Sequence, residues 1–291
     1  MITEAIKQRT VDEMMKRRDN FAGSDYRFAL SLSLNSSVYS RILKGEREKV
    51  LSEAGWMSLA RRMGVEMGNT PKWNIAKTPV FEFISQQLEF CQVYSASRML
   101  CDIADIGKTF TARHYASTHK NAVYVDCSQV KTRQKLVRFI AREFGVNHTG
   151  KYFDVYEDLV HYLRAIPTPL IILDEAGDLE RIAFLELKAL WNATERCVGW
   201  YMMGADGLKH KIRLAIEHKI VGYTELFSRY GSRYQKASPD STDQLKEFKS
   251  VHAAMIIKAN ASESDRIDIQ KMIVKSDYSL RRIQDELIKI S

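Results

Sequence analysis

Residues 102–109 read Asp102-Ile103-Ala104-Asp105-Ile106-Gly107-Lys108-Thr109, and they stand between an apolar stretch ending near Leu100 and a helical stretch beginning at Thr109. A strand, a loop closing on Gly-Lys-Thr and a helix make the arrangement that cradles phosphate oxygens. Gly107 lets the backbone approach an anion, and Lys108 would pair with the β- and γ-phosphates. The Thr109 hydroxyl would ligate Mg²⁺ at a helix N-terminus. Asp105, Ile106 and Phe110 complete the stretch expected to wrap ATP. The first half of the loop departs from the usual pattern, which has glycine where Asp102 stands and often a second glycine at Asp105. Both acids add negative charge near a triphosphate, so weaker or more Mg²⁺-dependent binding is expected, although Asp tolerates left-handed backbone better than most residues.

About 65 residues downstream, Leu170-Ile171-Ile172-Leu173-Asp174-Glu175 forms a buried-strand run ending in two acids. Ligands bind at the carboxyl ends of strands in open parallel sheets. Asp174 is therefore expected in the Mg²⁺ shell, and Glu175 is expected to orient or activate the attacking water. The chain between and around the two motifs alternates short apolar runs (121–126, 169–174, 197–203) with helical stretches (80–91, 131–144, 154–165, 180–195 and from about 207). That alternation predicts a parallel sheet covered on both faces. From about residue 240 the pattern is purely helical and reads as a lid.

Toward the N-terminus the pattern becomes all-helical. A basic helix over Val11–Arg18 is followed by helices on either side of Asn35-Ser36, with Phe28, Leu32, Val38 and Ile42 facing inward, and by a further helix within 50–64. This order resembles a helix-turn-helix, which would present Ser37, Tyr39 and Arg41 to DNA; a plain helical bundle for protein contacts is the alternative. Residues 66–79, rich in Gly, Asn and Pro without periodicity, mark a linker. The expected domains are 1–68 (helix-turn-helix-like), 69–238 (α/β core) and 239–291 (lid).

The chain has 291 residues and a net charge of +8. Length allows one large core, or a medium core with a small satellite domain, and the charge favours a polyanionic partner. Residues 110–151 hold eight Lys/Arg against Asp126 and Glu143, a skew that suits DNA phosphates or a solvated helix face. Four scattered cysteines suggest neither a zinc site nor a disulfide framework and read as small core residues. With no apolar run long enough to span a bilayer and no leader-like N-terminus, no membrane partner and a cytoplasmic location are expected.

The Gly-Lys-Thr loop, the strand ending in Asp174-Glu175 and the helical module before them together resemble the AAA+ ATPases of DNA transposition, the family of the phage Mu target-selection protein (MuB) and related IstB-like ATPases. The resemblance implies an α/β P-loop AAA+ core with a C-terminal helical lid, preceded by a small all-α domain. It implies ATP-dependent assembly into homo-oligomers or helical filaments on duplex DNA, weak ATPase activity stimulated by DNA or a partner, and delivery of DNA to a DDE-type transposase. By position, Asp206 matches the polar sensor after the fourth strand, with a helix N-cap as the alternative. Arg229 and Arg233 match the arginine finger that reaches a neighbour's γ-phosphate, a salt bridge or DNA contact being the alternative. Arg281 matches the lid sensor, ahead of Arg282. Lys131, Thr132, Arg133 and Lys135 match the family's DNA-contacting segment. A nucleotide-gated scaffold with negligible hydrolysis, and a helicase-loader-like or defence ATPase, share the same motifs.

Overall fold

The structure, a computed structural model, describes residues 2–65, 73–261 and 267–290. Helix α1 (Glu4–Asp19) is capped by Thr3, which accepts from the Ile6 amide, and it carries Glu4 at its first turn and Lys16, Arg17 and Arg18 at its last, charges that suit the helix dipole. It begins seven residues before the helix expected at Val11, because Ile6, Thr10 and Met14 continue one buried stripe. Helices α2 (Asp25–Ser31), α3 (Ser36–Leu43) and α4 (Glu53–Met63) are each opened by a Ser or Asn cap. The four helices close on Met14, Phe28, Ile42, Trp56 and Leu59. The expected boundary between 68 and 69, and the first half of the expected linker (66–72), lie outside the described residues.

Thr78 caps α5 (Pro79–Val93), whose first residue is proline, where a missing N–H is harmless. The α/β region then runs β1 (Ser97–Cys101), α6 (Lys108–Thr118), β2 (Ala122–Asp126), α7 (Arg133–Glu143), α8 (Tyr152–Ala165) and β3 (Leu170–Asp174). It continues through a 3-10 turn (Ala176–Asp178), α9 (Arg181–Ala193), β4 (Gly199–Gly204), α10 (Asp206–Glu217), α11 (Tyr223–Arg229) and β5 (Tyr234–Gln235). All pairings are parallel and the strand order is β2-β3-β4-β1-β5. Every residue of β3 and β4 is buried, as a sheet covered on both faces requires. One face packs on α7 to α11, the other on α5 and α6. Because β4 lies between β1 and β3, the loop after β1 and the acids ending β3 meet at one edge.

Helices α12 (Thr242–Asn260), α13 (Ile269–Lys275) and α14 (Leu280–Ile290) share a small core of Ala253, Ile257, Ile273, Ile283 and Leu287. Neither α11 nor the two-residue β5 is expected from periodicity, since each is too short to show one. Cys91, Cys101 and Cys127 are buried and all four cysteines are free, in keeping with packing roles. Among the described residues no helix is long and apolar enough to cross a membrane.

Candidate functional site

A cleft of about 1290 Å³ opens at the carboxyl edge of the sheet, between the N-terminal bundle, the α/β region and the C-terminal helices. Residues 105–110, Glu175 and Arg281 all line it. Gly107, at φ +87°, immediately precedes α6 and turns the loop into the helix, a conformation open to glycine at little cost. Lys108 is buried; its ammonium donates to the carbonyl oxygens of Asp102 (2.9 Å) and Ile103 (2.5 Å). Burial pulls its pKa down, against the pull of Asp102, Glu175 and Asp174.

The Thr109 hydroxyl donates to Asp174 Oδ2 over 2.7 Å. Two hard oxygen donors thus sit side by side at a helix N-terminus, which suits Mg²⁺ carried by phosphate oxygens and water. Among the described residues no cluster of three or more His, Cys, Asp or Glu forms a metal site by itself. The Tyr124 hydroxyl also donates to Asp174 Oδ2, at 2.8 Å, and fixes the carboxylate from the neighbouring strand. No motif marks Tyr124; the signal in the sequence is a ring with a polar tip on a half-buried strand position. Glu175 adopts a left-handed φ of +48°, a strained state for a non-glycine residue and a common one at functional sites. Burial, then the adjacent Asp174, raises its pKa, with Lys108 opposing.

Of the loop's two unexpected acids, one turns away from the cleft and the other lines it with its carboxylate bonded at the start of α14. Asp102 is fully buried and does not line the cleft. It accepts from the Ile103 amide (2.8 Å), the Ala237 amide (2.7 Å), the Ser238 amide (2.9 Å) and the Ser238 hydroxyl, so it straps the loop to the segment after β5. Asp105 lies at φ +61° and accepts from the Ser279 hydroxyl (2.7 Å) and the Leu280 amide (2.9 Å). Each carboxylate is hydrogen-bonded to a distant segment, Asp102 off the cleft and Asp105 at its wall.

The remaining sequence-marked residues separate. Ile106 is a core side chain, and only its backbone is available to a ligand. Asp206 is the exposed first residue of α10, Ala205 holds the cap position, and Asp206 makes no side-chain cap bond, so the N-cap alternative does not hold. Ala205 lines the cleft and Asp206 does not. Arg229 is tied within its own chain to Asn192 (2.6 Å) and the Glu225 carbonyl (2.8 Å), over the Trp191 ring. Arg233 is exposed and makes no ion pair among the described residues. Arg281 is 86% exposed and lines the cleft, while Arg282 does not line it. At the start of α7, Lys131 pairs with Asp178 (3.1 Å), Thr132 caps the helix, Arg133 covers the Tyr152 ring and Lys135 is exposed. On α3, Ser37 is exposed and Arg41 pairs with Glu46 (2.7 Å). Tyr39 is a correction: it is buried, edge-on to Phe28, and cannot face DNA.

Residues 99–212, less than half of the chain, match the family model described as AAA domain, and that stretch spans the phosphate loop, the acidic strand end and strands β1 to β4. The core has the AAA+ fold. The Orc1 protein of Aeropyrum pernix, solved in complex with DNA, superposes with a TM-score of 0.53 at 18% identity, covering 74% of this chain and 60% of that one. NtrX from Brucella abortus, solved with ATP, gives a TM-score of 0.45 at 12% identity over 87% of this chain and 58% of that one. This chain therefore spans about six tenths of the length of these solved proteins. No curated protein matches it by sequence. Within the AAA+ core, Lys108, Thr109, Asp174 and Glu175 occupy one edge, and Arg281 reaches it from the C-terminal helices.

Proposed function

We propose that this chain is an ATP-dependent DNA-binding AAA+ protein that binds ATP with Mg²⁺ in the cleft, hydrolyses it weakly, and oligomerises on duplex DNA in the ATP state. The observation that carries the reading is the 2.7 Å hydrogen bond between Thr109 and Asp174, which joins the two motifs at the place where the metal-bridged phosphates of a triphosphate would lie. Lys108 exchanges its two loop carbonyls for phosphate oxygens, a charge-assisted replacement. Thr109 and Asp174 would hold Mg²⁺, which would supply neutralisation of phosphate charge. Glu175, with its raised affinity for a proton, orients the attacking water. Arg281 answers to the γ-phosphate from its own lid, and Arg233, exposed and in no ion pair among the described residues, is the better placed of the two finger residues to serve a neighbouring subunit.

Duplex DNA is favoured by the net charge of +8 and by the exposed basic start of α7; such contacts read phosphates and not base sequence. The role in transposition, as target selector and activator of a transposase, rests on the motif resemblance. Duplex binding followed by fluorescence anisotropy with ATP, ADP or no nucleotide, each with Mg²⁺, tests the reading. Tight, salt-sensitive binding with ATP alone is expected, and it should disappear in Lys108→Ala. DNA binding that ignores nucleotide, or survives that substitution unchanged, overturns the reading.

A further inference from the structure

Asp105 occupies a loop position where glycine is usual, and it keeps a left-handed φ of +61° that glycine would adopt more easily. A non-glycine residue persists in such a conformation when its side chain is held by its surroundings. Here the holders come from 174 and 175 residues away: the Ser279 hydroxyl and the Leu280 amide both donate to Asp105 Oδ2. Ser279 precedes α14 and accepts from the Arg282 amide (3.5 Å), so the carboxylate of Asp105 sits at the N-terminus of that helix, where negative charge is favoured. Two residues into the contact, Arg281 Nε stands 4.0 Å from Asp105 Oδ1, with its side chain 86% exposed on the cleft wall.

We propose that Asp105 is a positioning residue: it anchors the lid helix α14 to the phosphate loop and thereby holds the Arg281 guanidinium over the cleft before a triphosphate arrives. The inference rests on the reading of the cleft as an ATP site. Asp105 binds nothing of the ATP; it acts through Arg281. Its own carboxylate is a weak, 4.0 Å partner for that guanidinium, so Arg281 is kept near the loop without being committed, and a γ-phosphate is the stronger competitor.

The test uses the full chain and three substitutions. Asp105→Gly removes the anchor and is conformationally easy at this φ, so failure to fold is not its natural outcome. Asp105→Asn keeps an acceptor for Ser279 and Leu280 but removes the charge, and Arg281→Ala removes the positioned group. Hydrogen exchange of residues 280–290 without nucleotide should rise about five- to tenfold in Asp105→Gly, the size of a lost helix cap, and stay close to wild type in Asp105→Asn. ATPase turnover should fall in Asp105→Gly and in Arg281→Ala, and the double variant should fall no further than the worse single. Unchanged exchange in Asp105→Gly, or turnover losses that multiply, overturns the proposal. Failure of the wild-type chain to bind a fluorescent ATP analogue would instead sink the ATP reading and the positioning role with it. The exchange data, collected without nucleotide, would still report the anchor, so the two failures are distinguishable.

Discussion

Polar side chains of the phosphate loop and the cleft reach across the chain, whereas those on the outer face of α3 reach only their neighbours. Thr109 meets Asp174 across 65 residues, Tyr124 meets it across 50, Asp102 meets Ser238 across 136 and Asp105 meets Leu280 across 175. On α3, Ser37 bonds Asn35 two residues away and Arg41 pairs with Glu46 five residues away. Local bonds of the second kind satisfy a helix start or a turn, and any such helix makes them. Bonds of the first kind order several distant segments at once, at an entropic cost that packing must offset. The cleft therefore has the structure of a prepared site, while α3 has that of a capped helix in a bundle.

The largest break in that comparison comes from Glu175. Glu175→Gln keeps size and backbone but removes the group that takes a proton, so ATP turnover should fall by about 10²–10⁴-fold with nucleotide affinity nearly retained. Steady-state turnover beside fluorescent-nucleotide binding checks it. Equal loss of both would place Glu175 in binding and not in the chemical step.

Gly145 tests whether the bundle and the core are one working unit. It follows α7 at φ +66°, and a β-carbon there would run into the Arg27 carbonyl oxygen of α2. Arg27 also stacks on Tyr162 (4.3 Å), and Asn20 donates to the Ser117 carbonyl (2.8 Å) across the same junction. Gly145→Ala should cost about 1–3 kcal/mol of stability, read by denaturant unfolding. Separation of a single transition into two would show that this junction couples the parts.

Much of this architecture can be read from the chain, for physical reasons that differ by region. The runs 121–126, 169–174 and 197–203 are mainly apolar because β3 and β4 are enclosed between helical layers and β2 is half-buried beside them, and such runs advertise themselves. Lys108, Thr109, Asp174 and Glu175 follow from motif spacing, since phosphate chemistry demands those groups in that order. The roles of Asp102 and Asp105 cannot be read in the same way, because hydrogen bonds across 136 and 175 residues leave no periodic trace. The two-residue β5 is invisible for want of length. The helix-turn-helix resemblance points Tyr39 at DNA, but an aromatic ring one turn before Ile42 belongs to the same buried stripe.

A smaller effect sharpens the contrast from the lid side. His252 on α12 is buried, and among the described residues neither ring nitrogen has a hydrogen-bond partner. Burial lowers its pKa, opposed by the Ile106 backbone and Asp105. A histidine kept neutral in the fold gains a proton more readily when unfolded. Stability is therefore unaffected above the ordinary histidine pKa of about 6.5 and falls as pH drops below it. His114 and His148 are shifted the same way, so His252→Phe should flatten, without abolishing, the fall in Tm between pH 7.5 and 5.5. An unchanged slope would mean that His252 titrates as an exposed group.

The smallest effect bears on the surface side. Lys135 is exposed near the start of α7 and enters no ion pair among the described residues, whereas Lys131 beside it is paired with Asp178. If this surface meets DNA phosphates, Lys135→Ala should lower the slope of log affinity against log salt by about 1 and weaken every duplex sequence alike. Lys131→Ala should do less, because its charge is already partly answered. Arg41→Ala, which removes an α3 guanidinium already engaged by Glu46 just beyond that helix, should change the slope least. If Arg41→Ala changes the slope most, or affects some DNA sequences and not others, then α3 reads DNA after all, and its local hydrogen bonds are ones that a partner displaces.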